Sequence, residues 1–99
     1  MQIEYGKIDG DIEIASDFEM HGMFTGAVTV KDGGFLVLHG TAKTIIVENG
    51  STVEIPGMVT GNVINLGGYL KVSGMICGAL IRQAGQTDIL AKASIKNLS

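Results

Sequence analysis

Residues 57–78, GMVTGNVINLGGYLKVSGMICG, contain one motif twice. Gly57-Met58-Val59-Thr60-Gly61 recurs 17 residues later as Gly74-Met75-Ile76-Cys77-Gly78. Between the copies stands Gly67-Gly68, half a period on. Working outward, Gly22 to Gly26 and Gly6 to Gly10 repeat the Gly-x-x-x-Gly frame. Gly40 to Thr44 reads as a further copy with its second glycine replaced. The first glycines fall at 6, 22, 40, 57 and 74, in steps of 16, 18, 17 and 17. The intermediate marker keeps the same period, as Gly33-Gly34, Asn49-Gly50, Gly67-Gly68 and Ala84-Gly85.

A period near 17 is too short for paired-helix repeats, which need over about 30 residues. It suits a coil of three short strands and three tight corners. Runs such as Phe35-Leu36-Val37-Leu38 and Tyr69-Leu70-Lys71-Val72 read as strands, and no segment keeps a helical period. Four before the first glycine stand Phe18, Leu36, Val53 and Leu70; two before stand Met20, Leu38, Ile55 and Val72. Two after stand Ile8, Phe24, Ala42, Val59 and Ile76; six after stand Ile12, Val28, Ile46, Val63 and Leu80. Residues two apart in a strand share a face, so these columns line the inside of a tube. Phe24, Leu36, Leu38, Val53, Ile55, Val63, Leu70, Val72, Ile76 and Leu80 are its expected core. The expected fold is all-β: a parallel β-helix of five to six coils, right-handed by the strand-crossover preference. Coils about 4.8 Å apart give a rod of roughly 25 Å. The repeats cover about residues 6–90 of a single domain, and the polar, basic 91–99 caps the rod. The glycines are expected where corners need positive φ.

The glycine and apolar pattern of 57–63 and 67–78 resembles the bactofilin family of bacterial cytoskeletal proteins. The likeness spans about residues 6–90. It implies a right-handed β-helix that polymerises end to end without nucleotide. Bactofilins usually carry flexible tails and a membrane-targeting segment; almost no tail and no such segment are expected here.

Composition narrows the function classes. The chain has 99 residues, 45% hydrophobic and 17% charged, with a formal charge of −3. Scattered Lys and Arg argue against nucleic acid, which needs a basic stripe. Cys77 is the sole cysteine, so neither an internal disulfide nor a multi-Cys zinc site is expected. No leader, lipidation motif or spanning apolar run is read, which suggests a cytoplasmic protein without membrane insertion.

Two outward columns look too apolar for a free surface. One after the glycine stand Met23, Thr41, Met58 and Met75. Farther on stand Ile45 with Val47, Ile64 and Ile81. Met23, Met58, Met75, Ile45, Val47, Ile64 and Ile81 are therefore the expected interface. A phase slip of one residue in a coil would instead bury some of them.

Other candidates read as surface. His21 and His39 stand one coil apart, but a metal needs a third ligand and the next rungs are Pro56 and Ser73. Asp9, Asp11, Glu13, Asp17 and Glu19 read as a solvated acidic edge rather than a carboxylate pair or calcium site. Cys77 has no base nearby in sequence, and the glycine loops lack the helix a phosphate site needs. No catalytic residue, cofactor or metal is assigned. The expected function is a non-enzymatic, self-assembling scaffold, as a homodimer or filament. The alternative is a module that binds another protein, such as an immunity or inhibitor protein, through its apolar side.

Overall fold

The computed structural model describes residues 2–98. It is a parallel β-solenoid of about six turns, roughly 17 residues apart, with no helix among the described residues. The first coil carries β1 (Gln2–Glu4), β2 (Lys7–Ile8) and β3 (Ile12–Ile14). The second carries β4 (Asp17–Met20), β5 (Met23–Phe24) and β6 (Ala27–Val30). The third carries β7 (Phe35–Leu38), β8 (Thr41–Ala42) and β9 (Thr44–Val47). Next come β10 (Thr52–Ile55) and β11 (Met58–Val59). β12 (Val63–Val72) and β13 (Met75–Ile89) then run on round corners, and β14 (Ser94–Leu98) ends the stack. Residues 94–98, expected in a cap, thus add a further parallel strand against β13.

Stacking is in register. Leu36 pairs with Phe18 and Val53, and Val53 pairs with Leu70. The ten expected core residues are at most 1% exposed, within one cluster of buried apolar side chains. Each such Val, Leu, Ile or Phe contributes about 1.5–3 kcal/mol by leaving water. Only stacking supplies this burial, because one coil has no interior of its own.

The third coil departs from the expected phase. Thr25-Gly26 joins β5 to β6, and Thr60-Gly61 follows β11, but Lys43 alone joins β8 to β9. The second glycine of the motif is missing there, not replaced by Thr44. Losing one corner residue flips every later side chain in the strand. Ile45 and Val47 consequently point inward, at 0% exposed, and Ile46 points outward. Register agrees, since Ile45 pairs with Val28 and Val63.

The glycines divide into two kinds. Gly33, Gly50 and Gly85 have positive φ near 80°, as a tight corner requires. The first-glycine column does not. A Cβ on Gly22, Gly40, Gly57 or Gly74 would overlap the carbonyl oxygen of the first glycine one coil earlier. Those carbonyls accept hydrogen bonds from the next coil: Met23 N to Gly6, Thr41 N to Gly22, Met58 N to Gly40, Met75 N to Gly57, at 2.9–3.0 Å. Close approach of backbones, not turn conformation, selects glycine in this column.

One inward position is polar. Asn65 is fully buried, in register with Val47. Its Oδ1 accepts from Gly67 N and Gly68 N at 3.1 and 3.0 Å. Its amide nitrogen, with two hydrogens to donate, lies 3.0–3.2 Å from three acceptors, Gly68 O, Gln86 O and Thr87 Oγ1. The side chain thereby satisfies main-chain groups where the β12–β13 ladder is irregular.

Two predictions follow from this packing. Gly57→Ala is expected to cost about 1–3 kcal/mol in chemical denaturation, because the coils must part. Gly6→Ala, which meets only the tip of Glu4, is expected to cost about 0.5 kcal/mol or less. The second concerns Tyr69, whose hydroxyl donates to Asp88 Oδ2 at 2.7 Å. That bond, then the one from Gln86, holds the Asp88 carboxyl below its ordinary range. The same bond, followed by partial burial and the charges of Asp88 and Glu54, raises the Tyr69 hydroxyl above its ordinary value. The Asp88 contribution is therefore complete above the ordinary carboxylate pKa and lost as pH falls through the depressed one. The Tyr69 contribution is complete below the ordinary tyrosine pKa and lost as pH rises through the raised one. Carboxyl NMR titration of Tyr69→Phe should return Asp88 toward the ordinary range.

Candidate functional site

Corners of one to a few residues leave little material for a pocket. The surface depressions, such as those at Met23–Thr41–Thr60 and Asp11–Thr29–Ile46, are shallow and open. The exposed groups stand on the outward rows, at the corners and at the two ends of the stack.

The expected apolar interface splits into two rows on neighbouring sides. Met23, Met58 and Met75 stand outside the short strands, in register through Thr41. Met23 and Met75 are each 45% exposed, and Met58 is half-buried. The other row lies outside β9, β12 and β13. Ile64 pairs with Ile46 and Ile81, and all three are half-buried. Ile45 and Val47 are corrected out of this row. They belong to the core, and Ile46 takes their place because of the shortened corner.

The ends differ in charge. Glu4, Asp9, Asp11, Glu13, Asp17 and Glu19 lie in the first two coils beside Lys7. Arg82, Lys92 and Lys96 lie in the last coils beside Asp88. Several of the acids have local work. Asp11 Oδ1 accepts from Ala27 N at 2.9 Å, the role Asn62 Oδ1 has toward Ala79 N. Asp9 accepts from Thr25 Oγ1 at 3.2 Å, and Glu13 lies 3.6 Å from Lys31. Among the described residues, the strands of the first coil pair on one side only, as do Gln86–Ile89 and β14 at the other end. At these ends Ile8 and Ile12 are half-buried, and Ile89 and Leu98 are exposed.

A third feature is legible in the sequence only in part, as the His21 and His39 pair without Tyr5 or Glu19. The corner position before the first glycine carries Tyr5, His21 and His39 on successive coils. Their rings form a ladder: Tyr5 on His21 at 4.8 Å and 16°, His21 on His39 at 4.6 Å and 7°. Glu19 reaches this ladder. Its Oε1 lies 2.8 Å from His21 Nε2 and 3.3 Å from His39 Nε2. The missing third group thus comes from sideways, not from the next rung. The spacing Glu19-x-His21 was the available signal, since it sets a carboxylate of β4 two residues before the corner histidine. Cys77 is exposed and has no assigned role.

No helix among the described residues is long and apolar enough to cross a membrane. The chain matches no family model, no curated protein and no solved structure.

Charge substitution separates core from surface in the third coil. Val47→Lys is expected to abolish cooperative folding, since an unpaired charge would be buried. Ile46→Lys, one residue away, should leave the circular dichroism spectrum unchanged and shift stability by about 0.5 kcal/mol or less.

Proposed function

We propose that this chain is a non-catalytic scaffold that assembles with copies of itself, head to tail along the solenoid axis. The observation carrying this reading is the polarity of the stack. Its first coils are acidic, its last coils are basic, and both end in strand edges with one free side. Parallel coils repeat by translation, so the last coil of one copy offers the first coil of the next an ordinary register. Free strand edges are ready templates for such pairing. The contact is heterologous and does not close, which yields filaments rather than a fixed dimer. Opposite end charges favour this arrangement over head-to-head contact, where acid would meet acid. The resemblance of the glycine repeats to bactofilins supports the same reading.

The Ile46–Ile64–Ile81 row supports a lateral contact between such rods. Its side chains recur once per coil, about 4.8 Å apart, so a second copy carries a matching row.

Sedimentation velocity and electron microscopy test the reading together. The purified chain should form extended particles whose length falls as salt rises. Lys92→Glu with Lys96→Glu should shorten them, whereas Ile64→Lys should only separate laterally paired rods. A chain that stays monomeric at all concentrations and salts would overturn the proposal. Stable monomers that co-purify with one basic protein would favour the partner-binding alternative.

A further inference from the structure

The Glu19, His21 and His39 triad has a geometry its hydrogen bonds do not exhaust. We infer that it is a zinc-class divalent metal site, with the two imidazoles and one carboxylate as ligands. Three potential ligand atoms lie within 4.8 Å of one another, the sole such group among the described residues. A tetrahedral Zn2+ with ligands at about 2.0–2.1 Å has ligand–ligand edges of roughly 3.3 Å. Glu19 Oε1 stands 2.8 and 3.3 Å from the two Nε2 atoms, so two edges are nearly in place. The remaining edge, between the imidazoles, closes by rotation of the more exposed ring, His39.

The fold holds the main chain of all three ligands, and the His21 ring, before any metal arrives. His21 N donates to Glu4 O and His39 N to Met20 O, both at 2.8 Å, fixing the backbone of each corner. Glu19 sits within β4, locked in register between Ile3 and Val37. The His21 ring is sandwiched between Tyr5 and His39, which limits its rotation. The side chains of His21, His39 and Glu19 are 30%, 43% and 24% exposed, so an ion has a path in. Two nitrogens and one oxygen select a borderline ion over Mg2+ or Ca2+, which prefer oxygen alone. On binding, each imidazole carries its proton on Nδ1 and offers the Nε2 lone pair. Glu19 binds as the carboxylate, and water completes the coordination. Since Glu19 and His21 belong to one coil and His39 to the next, the ion cross-links two coils.

Isothermal calorimetry with zinc sulfate reads the stoichiometry directly. One equivalent per chain is expected. His39→Ala, Glu19→Gln and the His21→Ala/His39→Ala pair should each weaken binding roughly tenfold or more. All three positions are outside the core, and circular dichroism checks that each variant keeps its fold. Co2+ supplies a second readout, as tetrahedral ligand-field bands with the wild type and none with the double variant. Zinc should also raise the melting temperature of the wild type and leave that of the double variant unmoved. Absence of wild-type binding, or binding that the double variant retains at equal affinity, overturns the site. In that case the triad is a hydrogen-bonded surface cluster only.

Discussion

Parallel main-chain pairing between successive coils fixes the distance from one coil to the next, and the rest of the molecule answers to that spacing. Side chains can adapt to a neighbour by rotation, but a corner backbone stacked on another corner has no such freedom. The first-glycine column is where this is most severe. Each glycine carbonyl accepts a hydrogen bond from the coil above while lying against the next glycine of the column. Any Cβ there would force the coils apart and break the ladder on both sides of the corner. The last rung illustrates the same limit. Ser94 N still bonds Gly74 O, yet Ala93 stands at the glycine position, where the corner after Ile89 is two residues longer than the one after Val72.

That constraint explains why so much of the fold was legible. A fixed rise makes every coil repeat the same geometry, so glycine spacing reports coil length directly. Inward columns then follow from strand alternation, and Leu36, Val53 and Leu70 stack as their spacing requires. The third coil was misread because its count ran from Gly40 across a corner of unstated length. Both Ile45 and Ile46 are apolar, so hydropathy could not detect the missing residue. Had Ile46 been charged, the phase would have been plain. Glu19 was misread for another reason. It looked like one more member of an acidic edge, because sequence neighbours were compared with sequence neighbours. Its role depends on a ring from the next coil, 20 residues away.

Short uniform corners also decide where function can reside. Among the described residues no corner is long enough to wall in a deep pocket. What remains is surface that repeats with the coil. Rows of like residues recognise either another object with the same period or a small ligand lodged between adjacent rungs. The two readings advanced for this molecule correspond to those two cases, and they occupy different parts of it. Assembly draws on the ends and the Ile row, while the metal site draws on one corner of the second and third coils.

Stacking like on like suits apolar residues but punishes charge, and the outward rows bear the mark of that conflict. Along the strands preceding the first glycine, the outward row runs Glu19, Val37, Glu54, Lys71, Asp88. Acid is separated from acid by Val37 or by Lys71. Glu13 faces Thr29, and Lys7 faces Met23. In no strand register among the described residues does a charge face its like, which would be destabilising at this distance. His21 over His39 is the exception in kind: two side chains of one potential sign, ring upon ring. Such a stack is tolerable when the rings are neutral or when a negative group stands between their nitrogens. Glu19 Oε1 occupies that place, within 3.3 Å of both. The arrangement that spares the ladder from repulsion also brings three potential ligand atoms within 4.8 Å of one another.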